Sequence, residues 1–174
     1  MKRLSLFAVA LALVAAGCSK SSTAPSTTPT KPTFTAALST ANEVPPITGV
    51  EAGGRGDATI TFDGPRDANG TFTGPVSVTF VVNLSGFPAS TPLNIAHIHT
   101  GAAGATGGVL ISTTLAAGEV VTNAAGTASF TKVAAGQDAA VAQNIVNNPA
   151  GFYFNVHSTI NGGGVVRGQL VKVS

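Results

Sequence analysis

Apolar and polar residues alternate along several stretches of this chain. That period of two dictates strands, because successive side chains on an extended backbone point to opposite faces. Ala58, Ile60 and Phe62 alternate with Asp57, Thr59, Thr61 and Asp63. Val76, Val78, Phe80, Val82 and Leu84 alternate with Ser77, Thr79, Val81 and Asn83. Phe152, Phe154 and Val156 alternate with Tyr153, Asn155 and His157. A further segment, Val165 to Val173, carries Val and Leu on both faces and one arginine. Turn-forming residues fill 63–74, 101–108 and 162–164. One stretch departs from the pattern. Between Gln137 and Asn147, Val141, Ala142, Ile145 and Val146 recur at helical spacing, and Pro149-Ala150-Gly151 stops the run. About eight strands and one short helix predict an all-β domain, an immunoglobulin-like or Greek-key β-sandwich. No fixed internal period argues for a repeat array.

Composition limits the functions open to such a domain. Hydrophobic residues are 44% of the chain, enough for a core, and charged residues only 9%, against about 25% in an ordinary soluble domain. Both figures are the reverse of a disordered chain. Beyond Cys18 there are seven Lys+Arg and seven Asp+Glu. A neutral surface cannot release counterions over a phosphate backbone, so nucleic acid is excluded as a partner.

The first residues predict export. Met1-Lys2-Arg3 is a positive n-region, and Leu4 to Ala16 is an apolar run with one Ser. As a helix this run spans about 20 Å, short of the roughly 30 Å bilayer core, so it fits a cleaved signal rather than a membrane span. Ala15-Ala16-Gly17 then precedes the only cysteine, Cys18, in the pattern of a bacterial lipobox. The expected organisation is a lipoprotein signal peptide at 1–17, lipidation of Cys18, a Ser/Thr/Pro-rich tether at 18–33 and a domain at 34–174. Acyl chains at about 0.8 kcal/mol per buried CH₂ would anchor the protein to the membrane. Ser19 in place of aspartate favours display at the outer membrane or cell surface of a bacterial envelope.

Chemistry-bearing residues are few. The three histidines are His97, His99 and His157. On a strand, His97 and His99 point to the same face about 6.6 Å apart, and His157 lies near the end of another strand. Neutral imidazoles are good ligands for Cu or Zn, so a three-histidine metal site is possible on geometry. Water or Glu43, expected on the N-terminal strand, would complete it. The competing reading is that these histidines hold loops through hydrogen bonds. Arg167 is the lone charge in an apolar segment and needs a partner, for which Glu43 and Asp138 are the candidates in a structural ion pair. Arg55-Gly56-Asp57 and the Asp67-Asn69-Gly70 cluster read as turn chemistry rather than as an adhesion motif or a calcium loop. No Gly-x-Ser-x-Gly elbow and no marked nucleophile appear, so no enzyme is expected.

Three motifs taken together carry a resemblance. Ala41-Asn42-Glu43-Val44-Pro45-Pro46 opens the domain, and Ala96-His97-Ile98-His99-Thr100-Gly101 lies in its middle. Phe152 to Ser158, Asn161, Gly163-Gly164 and Val166-Arg167-Gly168-Gln169-Leu170 close it. In this order they resemble the CHRD domain, named for chordin and present in many exported microbial proteins. The resemblance implies an extracytoplasmic, immunoglobulin-like β-domain, and for microbial members it implies no established activity. Ser158, Gly162 and Val165 depart from the residues common in the family, and the last removes a glutamate near Arg167. Glu43, His97, His99, Asn155, His157 and Arg167 are the family-matching positions that carry over as structural or ligand-binding residues. The leading expectation is a non-catalytic, lipid-anchored binding or surface-interaction module with a protein or polysaccharide partner. The alternative is a Cu- or Zn-binding envelope protein.

Overall fold

The computed structural model describes residues 30–174. Its strands are β1 (Thr33–Ser39), β2 (Arg55–Asp63), β3 (Val76–Ser85), β4 (Pro92–Thr100), β5 (Val109–Ser112), β6 (Val120–Val121), β7 (Ala128–Gln137), β8 (Phe152–Ser158), β9 (Val166–Gln169) and β10 (Val171–Lys172). One α-helix, α1 (Ala139–Asn147), crosses between β7 and β8. All the strands join one sheet, in the order β5-β4-β8-β9-β1-β2-β3-β7, with β6 on β4 and β10 on β1. The recorded pairings are antiparallel.

The sheet curls until its ends meet. β5 and β6 both touch β7, and Lys132 of β7 forms an ion pair with Glu119 just before β6. Across the interior, the Phe80 ring of β3 stacks on Phe154 of β8 with centroids 5.6 Å apart. The two layers of the expected sandwich are thus parts of one continuous, nearly closed sheet. The all-β expectation with one short helix holds. Closure also covers most strand edges, which otherwise invite pairing with other chains.

The alternating residues do what their period requires. Phe34, Ile60, Phe62, Phe80 and Phe154 are fully buried, each contributing about 1.5–3 kcal/mol by leaving water. Helix α1 starts two residues into the expected stretch because Asp138 caps it. Its carboxylate accepts from the amides of Ala140 (2.8 Å) and Val141 (3.0 Å). Asp138 is therefore committed to the helix and is not the partner of Arg167. The terminal apolar segment is split into β9 and β10 at Leu170, whose amide turns to the Phe152 carbonyl at 3.0 Å. Strand β1 starts at Thr33, the last residue of the expected tether, and Lys31 is tied to Asp63 at 2.7 Å. The expected signal segment, Cys18 and the expected tether up to residue 29 lie outside the described residues. Among the described residues no helix is long and apolar enough to cross a membrane.

Strand β8 positions the site. All seven of its residues are buried. Phe152, Phe154 and Val156 belong to the core cluster. Tyr153, Asn155 and His157 alternate with them and are buried as well, because loops fold over that face.

A candidate metal centre on the loop-covered face of the sheet

Register alone brings the polar residues of β4, β8 and β9 together. His97 pairs with Asn155, and Asn155 with Arg167. His99 pairs with Tyr153, and Tyr153 with Gln169. These are two rows across three adjacent strands, with side chains on one face. His157 lies two residues beyond Asn155 on that face.

The three histidines form a cluster. One ring nitrogen from each lies within 4.8 Å of the others. The ring of His97 stands edge-on to both partners, with centroids 5.4 Å from His99 and 5.1 Å from His157. The loops set which nitrogens are free. His99 Nδ1 is 3.1 Å from the Gly107 carbonyl, and His157 Nδ1 is 2.9 Å from the Gly162 carbonyl. A carbonyl only accepts, so each Nδ1 carries the proton and each Nε2 keeps a lone pair. Those two Nε2 atoms and His97 Nδ1 are buried without a hydrogen-bond partner among the described residues. Gly107 is required where it stands, since a Cβ there would overlap the Thr100 carbonyl.

Electrostatics keep the cluster neutral. Burial and the neighbouring imidazoles lower the His97 pKa from 6.5 to about 4. Burial also lowers His99 and His157, against the pull of their carbonyl partners. Three buried, neutral imidazoles with unused lone pairs match the donor set for Zn or Cu. Nitrogens bound to one ion at about 2.0–2.1 Å stand roughly 3.4 Å apart, so small ring rotations would close the cluster on a metal. A carbonyl on the outer nitrogen is the usual device for fixing a ligand histidine's tautomer and orientation.

Glu43 does not join this cluster. It lies beyond β1, as the residue that ends a one-turn 3-10 helix at Thr40–Asn42, and not on the strand expected for it. Its carboxyl faces Asn155 and Arg167. Burial raises its pKa to about 7, partly offset by the charge of Arg167 and the amide of Asn155. The expected ion pair with Arg167 does not form. The ion pairs among the described residues are Lys31–Asp63 and Lys132–Glu119. Arg167 instead donates from Nη2 to the carbonyls of Ala105 (2.9 Å) and Ala102 (3.4 Å). Its guanidinium lies 3.7 Å from the centroid of the Tyr153 ring. Tyr153 in turn stacks on His99 at 4.9 Å and 3°.

Two contributors escape a reading of the sequence for site residues. Tyr153 joins Arg167 to a candidate ligand, and its place on the Asn155–His157 face is its only sequence signal. Glu51 is fully buried. Its Oε2 accepts from Ser158 Oγ at 2.7 Å and from the Asn161 amide, and so it anchors the loop whose Gly162 carbonyl holds His157. Nothing local marks Glu51, because its partners are more than one hundred residues away. Of the weaker motifs, Arg55-Gly56-Asp57 opens strand β2, and Asp67 is spent within its turn on the amides of Asn69 and Thr71.

No curated protein matches this chain. The CHRD domain family matches it over residues 34–170, from β1 to the residue after β9, including the three histidines, Glu43, Asn155 and Arg167. The chain belongs to the CHRD domain family.

Proposed function

We propose that this protein is an exported, lipid-anchored CHRD module that binds copper or zinc through His97, His99 and His157. One observation carries the reading: each of the three buried imidazoles leaves a ring nitrogen unpartnered, and one ring nitrogen from each lies within 4.8 Å of the others. A buried polar atom without a partner costs about 1–3 kcal/mol. Three such atoms in one place are a costly arrangement for residues that only fasten loops. Two of the rings already spend Nδ1 on that task, which leaves Nε2 for something else. Imidazole suits both metals, and divalent copper outranks zinc at a given nitrogen site. Water or a ligand from solution would fill the remaining position.

The module is read as a binding domain and not as an enzyme, in keeping with its family. Anchoring rests on the signal-like segment and Cys18, and places the domain in the bacterial envelope at the end of its tether. Calorimetric titration of the full chain with Cu²⁺ and Zn²⁺ tests the metal reading. It should give one-to-one binding, tighter for Cu²⁺. The triple variant His97→Ala/His99→Ala/His157→Ala should fold and lose it. Equal uptake by the triple variant, or no uptake by the parent chain, would refute the metal site.

A further inference from the structure

On the Arg167 side of the histidine cluster lies a cavity that the metal reading does not use. It has a volume of about 560 Å³ and lies between the segment after β1, the 103–104 turn and the β9–β10 edge. Ala37, Ala41, Val44, Pro46, Ala103 and Val171 make its walls mostly apolar. Arg167 and Glu43 line it as its charged or titratable groups. We propose that this cleft binds a small organic monocarboxylate, its carboxylate on Arg167 and its apolar stem along Ala41, Val44 and Pro46.

Arg167 is 2% exposed and belongs to no ion pair among the described residues. A buried cation in that state is expensive unless something completes it. Two carbonyls take only its Nη2, and the Tyr153 ring covers one face of the guanidinium. The planar fork of an arginine matches a carboxylate with two parallel hydrogen bonds. Glu43 is 7% exposed, and its Oε1 is buried without a partner. It sits near Arg167 but forms no ion pair with it among the described residues.

The chemistry around Arg167 selects the charge of the ligand. One guanidinium and no lysine in the lining suit at most a single negative charge, and the acidic neighbour Glu43 weighs further against a phosphate dianion. The apolar walls select the stem. A volume of this size is in the range of small-molecule sites, which characteristically pair apolar walls with a few polar groups. The inference is independent of metal binding.

Tyr153 is the only tyrosine and the chain has no tryptophan, so its emission reports on the group stacked against it. Full chain in EDTA is titrated with hexanoate and phenylacetate, and in parallel with hexanamide, phenylacetamide and inorganic phosphate. At least one acid should give saturable one-to-one quenching or enhancement, with its amide and phosphate at least about tenfold weaker. Arg167→Gln should weaken the acid by about tenfold or more. Ala41 is exposed on the cleft wall, so Ala41→Phe should fold and block the stem. It decides the matter if Arg167→Gln does not fold. Absence of saturable binding by both acids, equal binding of acid and amide, or unchanged affinity in Ala41→Phe would overturn the proposal.

Discussion

At the scale of single residues, the site is a set of protonation states fixed by burial. The unfolded chain protonates its histidines near 6.5, whereas folded His97 does so only near pH 4. Between those values the unfolded chain binds protons that the folded chain refuses, so acidification costs stability. His99 and His157 shift in the same direction. Glu43 works the other way. Its folded pKa of about 7 lies above the ordinary 4.5, so its contribution is full below 4.5 and is lost as pH rises to 7. Three groups outweigh one, and the urea midpoint of the metal-free chain should fall as pH drops from 6.5 to 4.5. In Glu43→Gln the opposing contribution is gone, and the same acidification should lower the midpoint further. An acid-insensitive midpoint would mean that the imidazoles are not desolvated as described.

At the scale of elements, loops complete what strands begin. The His97–Asn155–Arg167 row follows from pairing register, but the free lone pairs follow from carbonyls at Gly107 and Gly162. Glu51→Ala would leave Ser158 and Asn161 without their buried acceptor. It should cost about 1–3 kcal/mol in urea unfolding and weaken Zn²⁺ binding by about 10–100-fold. Asp138→Ala, which removes the cap of α1 on another part of the molecule, should cost about 1 kcal/mol and leave metal affinity unchanged. This contrast also separates what the sequence discloses from what it hides. Period two exposed β2, β3 and β8, and helical spacing exposed α1, since those patterns are local consequences of which face is buried. The three histidines were legible because few other residues in the chain can ligate a metal. Glu43 was misplaced because the 3-10 turn at Thr40–Asn42 breaks β1 without any periodic signal. Glu51 and Tyr153 act through contacts distant in sequence, and the loop cover over β8 leaves no local pattern at all.

At the scale of the whole molecule, one curled sheet carries an apolar interior and a polar face buried under loops. Phe154 and Asn155 are adjacent in β8 and serve the two sides. Phe154→Ala should cost about 3–5 kcal/mol through lost burial and the cavity left beside Phe80, measured as a shift in urea midpoint. A ligand that binds only the folded state adds stability by mass action, about 2.7 kcal/mol at one hundred times its Kd. A bound metal should therefore raise the melting temperature of the parent chain and not that of the triple histidine variant. The most direct test is X-ray absorption at the metal edge of the full chain loaded with one equivalent of Cu²⁺ or Zn²⁺. The account predicts three imidazole nitrogens at about 2.0–2.1 Å, unchanged in Glu43→Gln. A carboxylate-dominated shell, or fewer than three imidazoles, would contradict it.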